Sequence, residues 1–539
     1  MEHGDQVAQE QRVPEVEVEV QEDVQVKKYN IHVSTKYLDL TRKKLELTRL
    51  PHDRPGVGEG EEEEEKEVVV GNGGGNANAD AEGSEGASGD GVLTKKEVES
   101  LVDYWLEEYT WRERETWYNA TYPQYRSTFK VSAFPSAKTK SKTPTPAAQT
   151  LRIHFLHLRS SRKDAIPLLL VPSFPSSNLT VDIDVLTKEL CNPAQEDVQA
   201  FDVVIPSIPG TGFSDEISGI VDKGDVMRET AGIFDRLMKR LGYTDYVASM
   251  MGSGKEKGGE VDYYLGREIG GLSGGGCRGM HLIEPRWGVP TVDGGVWEWV
   301  RWKAALFFHA KVWGYEEGDW KNLNKQGGKG QGKMSLLKRK GSKKKLRYGA
   351  MAAVSLREPD TLAYALCDSP VGLLSFVATA LKKKSPRHQL SKEKMIDLCQ
   401  LWWLPGPEAA LRYYANALQE SDQLQGEKGK QDRGRVAITV FDGEGEPAGY
   451  SPPAWGMKKH EVVFVQRATG KPGLLAWERP AVIFDGIRGL TKEVLKVDER
   501  IKVRKLDEVV VGSENRVDGA HEDYGMQLDV ESPDTIVAR

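Results

Sequence analysis

The stretch Tyr246 to Gly266, YVASMMGSGKEKGGEVDYYLG, sets Ser253 and Glu256 between a short apolar run and a segment of helical character. A strand-to-helix turn at the edge of a parallel sheet is where an α/β protein usually carries its chemistry, because side chains there project from a rigid scaffold into a crevice. Ser253 stands inside GSG, but the GxSxG spacing of a serine nucleophile is not met, since Met251 precedes it and Lys255 follows it at the glycine positions. Glu256 belongs to a KEK run on the same turn. The glycine-rich tracts offer neither GxGxxG between strand and helix nor GxxxxGKS/T, which argues against nucleotide binding. Cys191, Cys277, Cys367 and Cys399 lie far apart, mostly in apolar segments, and read as buried thiols in a reducing compartment. No zinc, haem or iron–sulfur spacing is present, so neither metal nor cofactor is expected.

The elements that position this turn follow from the patterning. With 539 residues, 39% hydrophobic and 29% charged, the chain has apolar material for a sizeable core and more than one unit. A net charge of -7 gives no general attraction to nucleic acid or an anionic membrane, and the basic run Lys338 to Arg347 reads as a solvated loop face. Residues 1–27 read as a disordered acidic tail with no secretory signal. The apolar run Ile166 to Pro172 is far too short to span a bilayer, so the expectation is a soluble cytoplasmic protein without an integral membrane segment.

YNIHVS from Tyr29 predicts a strand and Lys36–Thr48 a helix. Residues 57–92, an acid run followed by a Gly/Asn/Ser tract, read as a disordered insertion. Leu93–Glu113 predicts a helix with Thr94 as N-cap and Glu97 as its capping-box partner. After a polar linker at 132–149 come strands at Leu151–Arg159 and Ala165–Phe174, a helix at Val181–Leu190, the apolar run FDVVI from Phe201, and a helix at Asp222–Leu241. Apolar runs flanking a helix suit a βαβ crossover in a parallel sheet. Residues 268–276 read as another loose insertion, RGMHLIE as a strand, and Glu298–Glu420 as a long helical excursion placed over the sheet as a lid. Strand character returns at Arg435–Glu444 and Glu461–Gln466.

The segments LTRLPHD, VDYWLEEYTWRERETWYN, LRIHFLHLRS, IPSIPGTGFSD, EPDTLAYALCDSPVGLLSF and LRYYANAL occur in the order of a known family. The chain resembles the epoxide hydrolase branch of the α/β-hydrolase fold, with the N-terminal domain of the microsomal-type enzymes and their fungal and bacterial relatives. The resemblance implies an α/β-hydrolase fold with a mostly parallel sheet, an N-terminal extension domain and a helical lid. It divides the chain into an N-terminal epoxide-hydrolase-like domain at 28–131, a first core part at 150–297, a lid at 298–430, a second core part at 431–510 and an unassigned tail at 511–539.

In that family an Asp on an elbow reading GGDWG attacks the epoxide, a His with an acid partner hydrolyses the ester to a vicinal diol, and lid tyrosines hold the ring oxygen. Counting forward from Tyr246 puts Gly252 at the Asp position. Counting back from EVDYYLGRE puts Glu256 there, and keeps more matches, so Glu256 is the candidate nucleophile. Glu444 in VFDGE takes the place of the triad acid. Gly473 in VQRATGKPGLLAWERP falls where the histidine belongs, leaving His521 as the late candidate base. Tyr414 in LRYY matches one lid tyrosine, while the other position falls at Met351 with Tyr348 a helical turn earlier. The loop that reads HGWP in the family is PSFP here, giving Pro172, Phe174 and Pro175 as pocket wall in place of an oxyanion hole. With nucleophile, base and oxyanion loop altered together, the sequence points to an epoxide hydrolase-like protein with impaired or repurposed activity. The alternative is a non-catalytic homologue that binds or interacts. The ligand expected is an apolar small molecule, without nucleic acid, and a homo-oligomer is compatible with the sequence.

Overall fold

The computed structural model describes residues 25–52, 93–131, 149–217, 225–253, 259–292, 295–308, 311, 313–328, 358–385, 390–426, 434–442 and 450–502. A nine-stranded sheet runs in the order β1-β2-β3-β5-β4-β6-β7-β8-β9. Its strands are β1 (Lys27–Lys28), β2 (Gln124–Val131), β3 (Gln149–Leu158), β4 (Ile166–Val171), β5 (Phe201–Pro206), β6 (Tyr246–Ser253), β7 (Cys277–Ile283), β8 (Arg435–Asp442) and β9 (Glu461–Thr469). β1, β2, β3 and β5 pair antiparallel, whereas β5, β4, β6, β7, β8 and β9 pair parallel. The chain has the α/β-hydrolase fold.

The helices are α1 (Thr35–Glu46), α2 (Lys95–Glu107), α3 (Trp111–Thr121), α4 (Ile183–Leu186), α5 (Val226–Arg240), α6 (Gly259–Gly270), α7 (Val296–Phe308), α8 (Glu317–Gly328), α9 (Pro359–Asp368), α10 (Pro370–Lys384), α11 (Lys392–Trp403), α12 (Pro407–Gly426), α13 (Leu475–Glu478) and α14 (Pro480–Leu495). The central strands are buried on both faces, which is why IPLLLV and FDVVIP are almost continuously apolar. Leu169, Val171, Ala248 and Met250 face one core with α5 and α6. Leu168, Leu170 and Val247 face another with α3 and α14.

Two predictions from the N-terminal region are refined. The capping box at Thr94 and Glu97 is present, but the helical segment breaks between α2 and α3. YNIHVS does not join the sheet as a strand. Its backbone N–H groups at Ile31 and Val33 donate to the side chains of Asn119 (2.7 Å) and Glu115 (2.6 Å), so side chains of α3 replace a strand ladder.

Between β7 and β8 the described helices are α7 to α12, and α10 and α11 pack against α1 and α2 through Leu45, Val102, Trp105, Leu374, Val377 and Ile396. This docking fixes one side of the helical layer above the sheet. Arg114 on α3 reinforces it by pairing with Asp397 of α11, which also accepts from the Tyr109 hydroxyl at 2.8 Å. Among the described residues no single helix is long and apolar enough to cross a membrane. The bent pair α9–α10 matches a span in length and composition, but it buries Leu366, Leu373 and Leu381 within the protein.

Candidate functional site

Where β4 and β6 end side by side, their register places Ser173 beside Gly252, because Val171 is the partner of Met250. A cavity opens there, walled by Ser173, Ser176, Met251, Gly252 and Ser253 on the sheet side, with Lys384 and Gly473–Trp477 opposite. It lies at the carboxyl ends of the parallel strands, the position the fold favours for a ligand.

The forward count lands on this wall, at Gly252. Any side chain at 252 would begin inside space already held by Ser173 Oγ and the Asp262 carboxylate, so the elbow has no room for a nucleophile at that residue. The length mismatch seen in the sequence is partly taken up within β6. Ser249 pairs with His281 and Ser253 with Ile283, so four residues of advance on β6 meet two on β7.

Asp262 is the acid that sequence reasoning passed over. It sits on α6 in an otherwise apolar run, VDYYL, is 5% exposed, and accepts a hydrogen bond from Ser173 Oγ. Its placement has a local cause at Gly266, one turn further on the same helix face. A Cβ at Gly266 would come 2.8 Å from Leu282 and 2.9 Å from Met280, so the missing side chain lets α6 settle onto β7 and carries Asp262 to the end of β6. The one signal in the sequence was a charge inside a buried helical stripe.

A second hydroxyl–carboxylate pair stands on the same wall. Ser253 Oγ donates to Glu284 Oε2 at 2.8 Å, and Glu284, which follows β7 with φ of 44°, is 5% exposed.

Tyr414 meets the PSFP loop, which contributes Ser173 to the cavity wall. Phe174 packs edge-on against Tyr414 (5.1 Å between centroids) and Trp402 (5.4 Å). Pro172 and Pro175 are buried, Trp402 Nε1 donates to the Pro175 carbonyl at 3.0 Å, and Lys384 Nζ donates to the Phe174 carbonyl at 2.7 Å. The adjacent Tyr413 is the core residue of the pair, fully buried with its hydroxyl directed to Thr230 at 3.4 Å. The Tyr414 hydroxyl has no hydrogen-bond partner among the described residues. Burial, and then the negative charge of Asp262, raise it well above the ordinary phenol range, so it remains a protonated donor.

The structure therefore brings together Tyr414, Phe174, Pro172 and Pro175. Glu256, Glu444, His521, Tyr348 and Met351 lie outside the described residues. Gly473 does line the cavity, with φ of 61°, and the carboxylate of Glu478 stands where a side chain at 473 would begin. Among the described residues no histidine lines the cavity. His154, His157 and His281 are instead held in polar networks within the sheet, and burial pushes each down to about 3. Among the described residues no group of His, Cys, Asp and Glu has the geometry of a metal site.

The family model for the epoxide hydrolase N terminus matches residues 75–181. A Stigmatella aurantiaca protein that carries an epoxide hydrolase name is 27% identical over 404 residues, covering 72% of this chain and 74% of its own. Epoxide hydrolase 1 of Sus scrofa is 23% identical over 415 residues, covering 72% and 78%. Among solved structures, the Aspergillus niger epoxide hydrolase superposes with a TM-score of 0.58 at 18% identity, over 88% of this chain and 97% of its own. The juvenile hormone epoxide hydrolase of the silkworm Bombyx mori gives 0.58 at 20% identity, over 89% and 97%. Fold and sequence together give this chain a family-level resemblance to the epoxide hydrolases of the α/β-hydrolase fold.

Proposed function

We propose that this chain binds a small apolar epoxide under Phe174 and Tyr414 and hydrolyses it to a vicinal diol, at a rate reduced by the loss of the family's elbow Asp and histidine. The observation that carries this reading is the Tyr414 hydroxyl, a donor that finds no partner among the described residues, packed through Phe174 onto the loop that brings Ser173 to the cavity, where Ser173 and Ser253 donate to buried carboxylates. Opening an epoxide needs a proton donor at the ring oxygen, where negative charge develops as the C–O bond breaks. A phenol held protonated by burial supplies that donor, and the aromatic contacts of Phe174 fix its orientation. The relatives named above carry epoxide hydrolase names, which favours this reaction over other chemistry that the fold accommodates.

The test is incubation with styrene oxide and chromatographic detection of phenylethanediol above the rate in buffer, with Tyr414→Phe as the paired variant. Diol formation that depends on Tyr414 is the expected result; no diol at any protein concentration removes the reading. A second reading, a non-catalytic binding protein, draws on Gly252 and Gly473, where Asp262 and Glu478 occupy the space of the missing side chains. It predicts thermal stabilisation by styrene oxide or its diol with no turnover.

A further inference from the structure

We propose that Ser173 and Asp262 form a proton relay through which water opens the epoxide in a single step, replacing the ester-forming nucleophile of the resembling family. The proposal rests on the epoxide reading of the pocket. A serine hydroxyl has one proton and two lone pairs. Ser173 lines the cavity and directs its proton to Asp262 Oδ2, and among the described residues its oxygen accepts no hydrogen bond. A water in the cavity can therefore donate to Ser173 Oγ.

Asp262 itself lies behind the wall formed by Ser173 and Gly252. From there it accepts a proton through Ser173, but a substrate carbon in the cavity is beyond its reach. Position 252, where the forward count places the family's nucleophile, is glycine and its surroundings are filled. These features withhold carbon attack from Asp262 and from position 252, and the proposed route gives it to water. Ser173 is preferred over Ser253 because its neighbour Phe174 packs on Tyr414, which places the relay on the same side as the acid.

The step balances as follows. The water oxygen bonds to an epoxide carbon, and that carbon's bond to the ring oxygen breaks. One water proton passes to Ser173 Oγ as the Ser173 proton passes to Asp262. The ring oxygen takes the phenol proton of Tyr414. The proton held by Asp262 then returns by way of Ser173 and solvent to the Tyr414 phenolate, so one water is consumed for each diol formed.

Two measurements on the full chain test this. The first is a single turnover with protein in excess over styrene oxide in water labelled with oxygen-18, followed by mass analysis of the diol. Direct attack puts the label into the first diol formed. An ester route delivers an unlabelled protein oxygen, and that result overturns the relay while leaving the proposed function standing. The second is Asp262→Asn, which keeps the volume but cannot take the proton. The single-turnover rate should fall by about 100-fold or more, in the range of general base catalysis, with the affinity for phenylethanediol unchanged. Ser173→Ala should show a similar loss, and the double variant little further loss, because the two act as one unit. A full rate in Asp262→Asn removes the relay, whereas a wild-type protein that forms no diol removes both the relay and the function on which it rests.

Discussion

Gly252→Ala is the smallest change that probes the packing at the end of β6. The added methyl would meet Ser173 Oγ, Ser173 Cβ and Asp262 Oδ2 at once, and Ser173 Cβ cannot move without moving the loop after β4. Overpacking at a filled site costs about 1–3 kcal/mol. Displacing a buried hydrogen bond to a charged acceptor adds about 1.5–3 kcal/mol. A total of roughly 2.5–6 kcal/mol is a large share of the roughly 5–15 kcal/mol by which proteins are stable. Urea unfolding followed by circular dichroism reads this as a lowered midpoint at unchanged slope. Ser173→Gly in the same chain removes two of the three obstructing atoms, so the double variant should recover at least about 1 kcal/mol relative to additivity. A Gly252→Ala protein within about 0.5 kcal/mol of wild type would falsify the placement of Asp262 against Gly252.

Tyr414→Phe should leave the urea midpoint within about 0.5 kcal/mol of wild type, because the lost hydroxyl has no hydrogen bond to a described residue, while lowering kcat/KM by about 10-fold or more. Asp319→Ala removes the fully buried carboxylate that accepts two bonds from Arg467 (3.1 Å each) and one from the Tyr450 hydroxyl, tying α8 to β9. It should cost about 3 kcal/mol in thermal or urea unfolding, and a neutral variant would refute the tie. Acid should destabilise the protein through its buried histidines. Their folded values, about 3 for His154, His157 and His281 and about 4 for His460, lie below the ordinary 6.5, so stability present above pH 6.5 is lost as pH falls. By pH 5 each costs about 2 kcal/mol. Glu420, pushed up to about 7 by burial, has the opposite sign and offsets part of that loss as it protonates, as do Glu216, Glu229 and Asp442, which burial also raises. A urea midpoint flat between pH 7 and 5 would contradict the neutral burial of these histidines.

Much of the scaffold was legible because its elements bury continuous apolar surface. LLLV and FDVVI suited strands covered on both sides, and Thr94 with Glu97 marked a helix start by a local hydrogen-bond pattern. YNIHVS misled for a related reason. Its alternation was real, with Tyr29, Ile31 and Val33 buried, but the backbone found its partners in Asn119 and Glu115, far along the chain. The candidate site was legible only in which segments meet, Tyr414 of LRYY and the PSFP loop packing together through Phe174. Asp262 was not, since its role depends on two distant facts. The β4–β6 register brings Ser173 beside Gly252, and the close approach of α6 at Gly266 brings the carboxylate to both.

The two placements of a carboxylate at this elbow exclude one another. A side chain at 252 and the Ser173–Asp262 pair claim the same few cubic ångströms, and two buried carboxylates side by side would repel in a site of low dielectric. Glycine at 252, the position the forward count gives to the family's nucleophile, therefore does more than lack a carboxylate. It makes room for an acid from α6 to approach from behind, with a serine between it and the cavity. An acid in that position serves proton transfer, which tolerates an intervening hydroxyl, and fails at carbon attack, which does not. Gly473 fits the same logic, because the family's histidine serves to hydrolyse the ester and the proposed route forms none. Glycines at 252 and 473, which read singly as losses, are together what the proposed direct delivery of water requires of this wall.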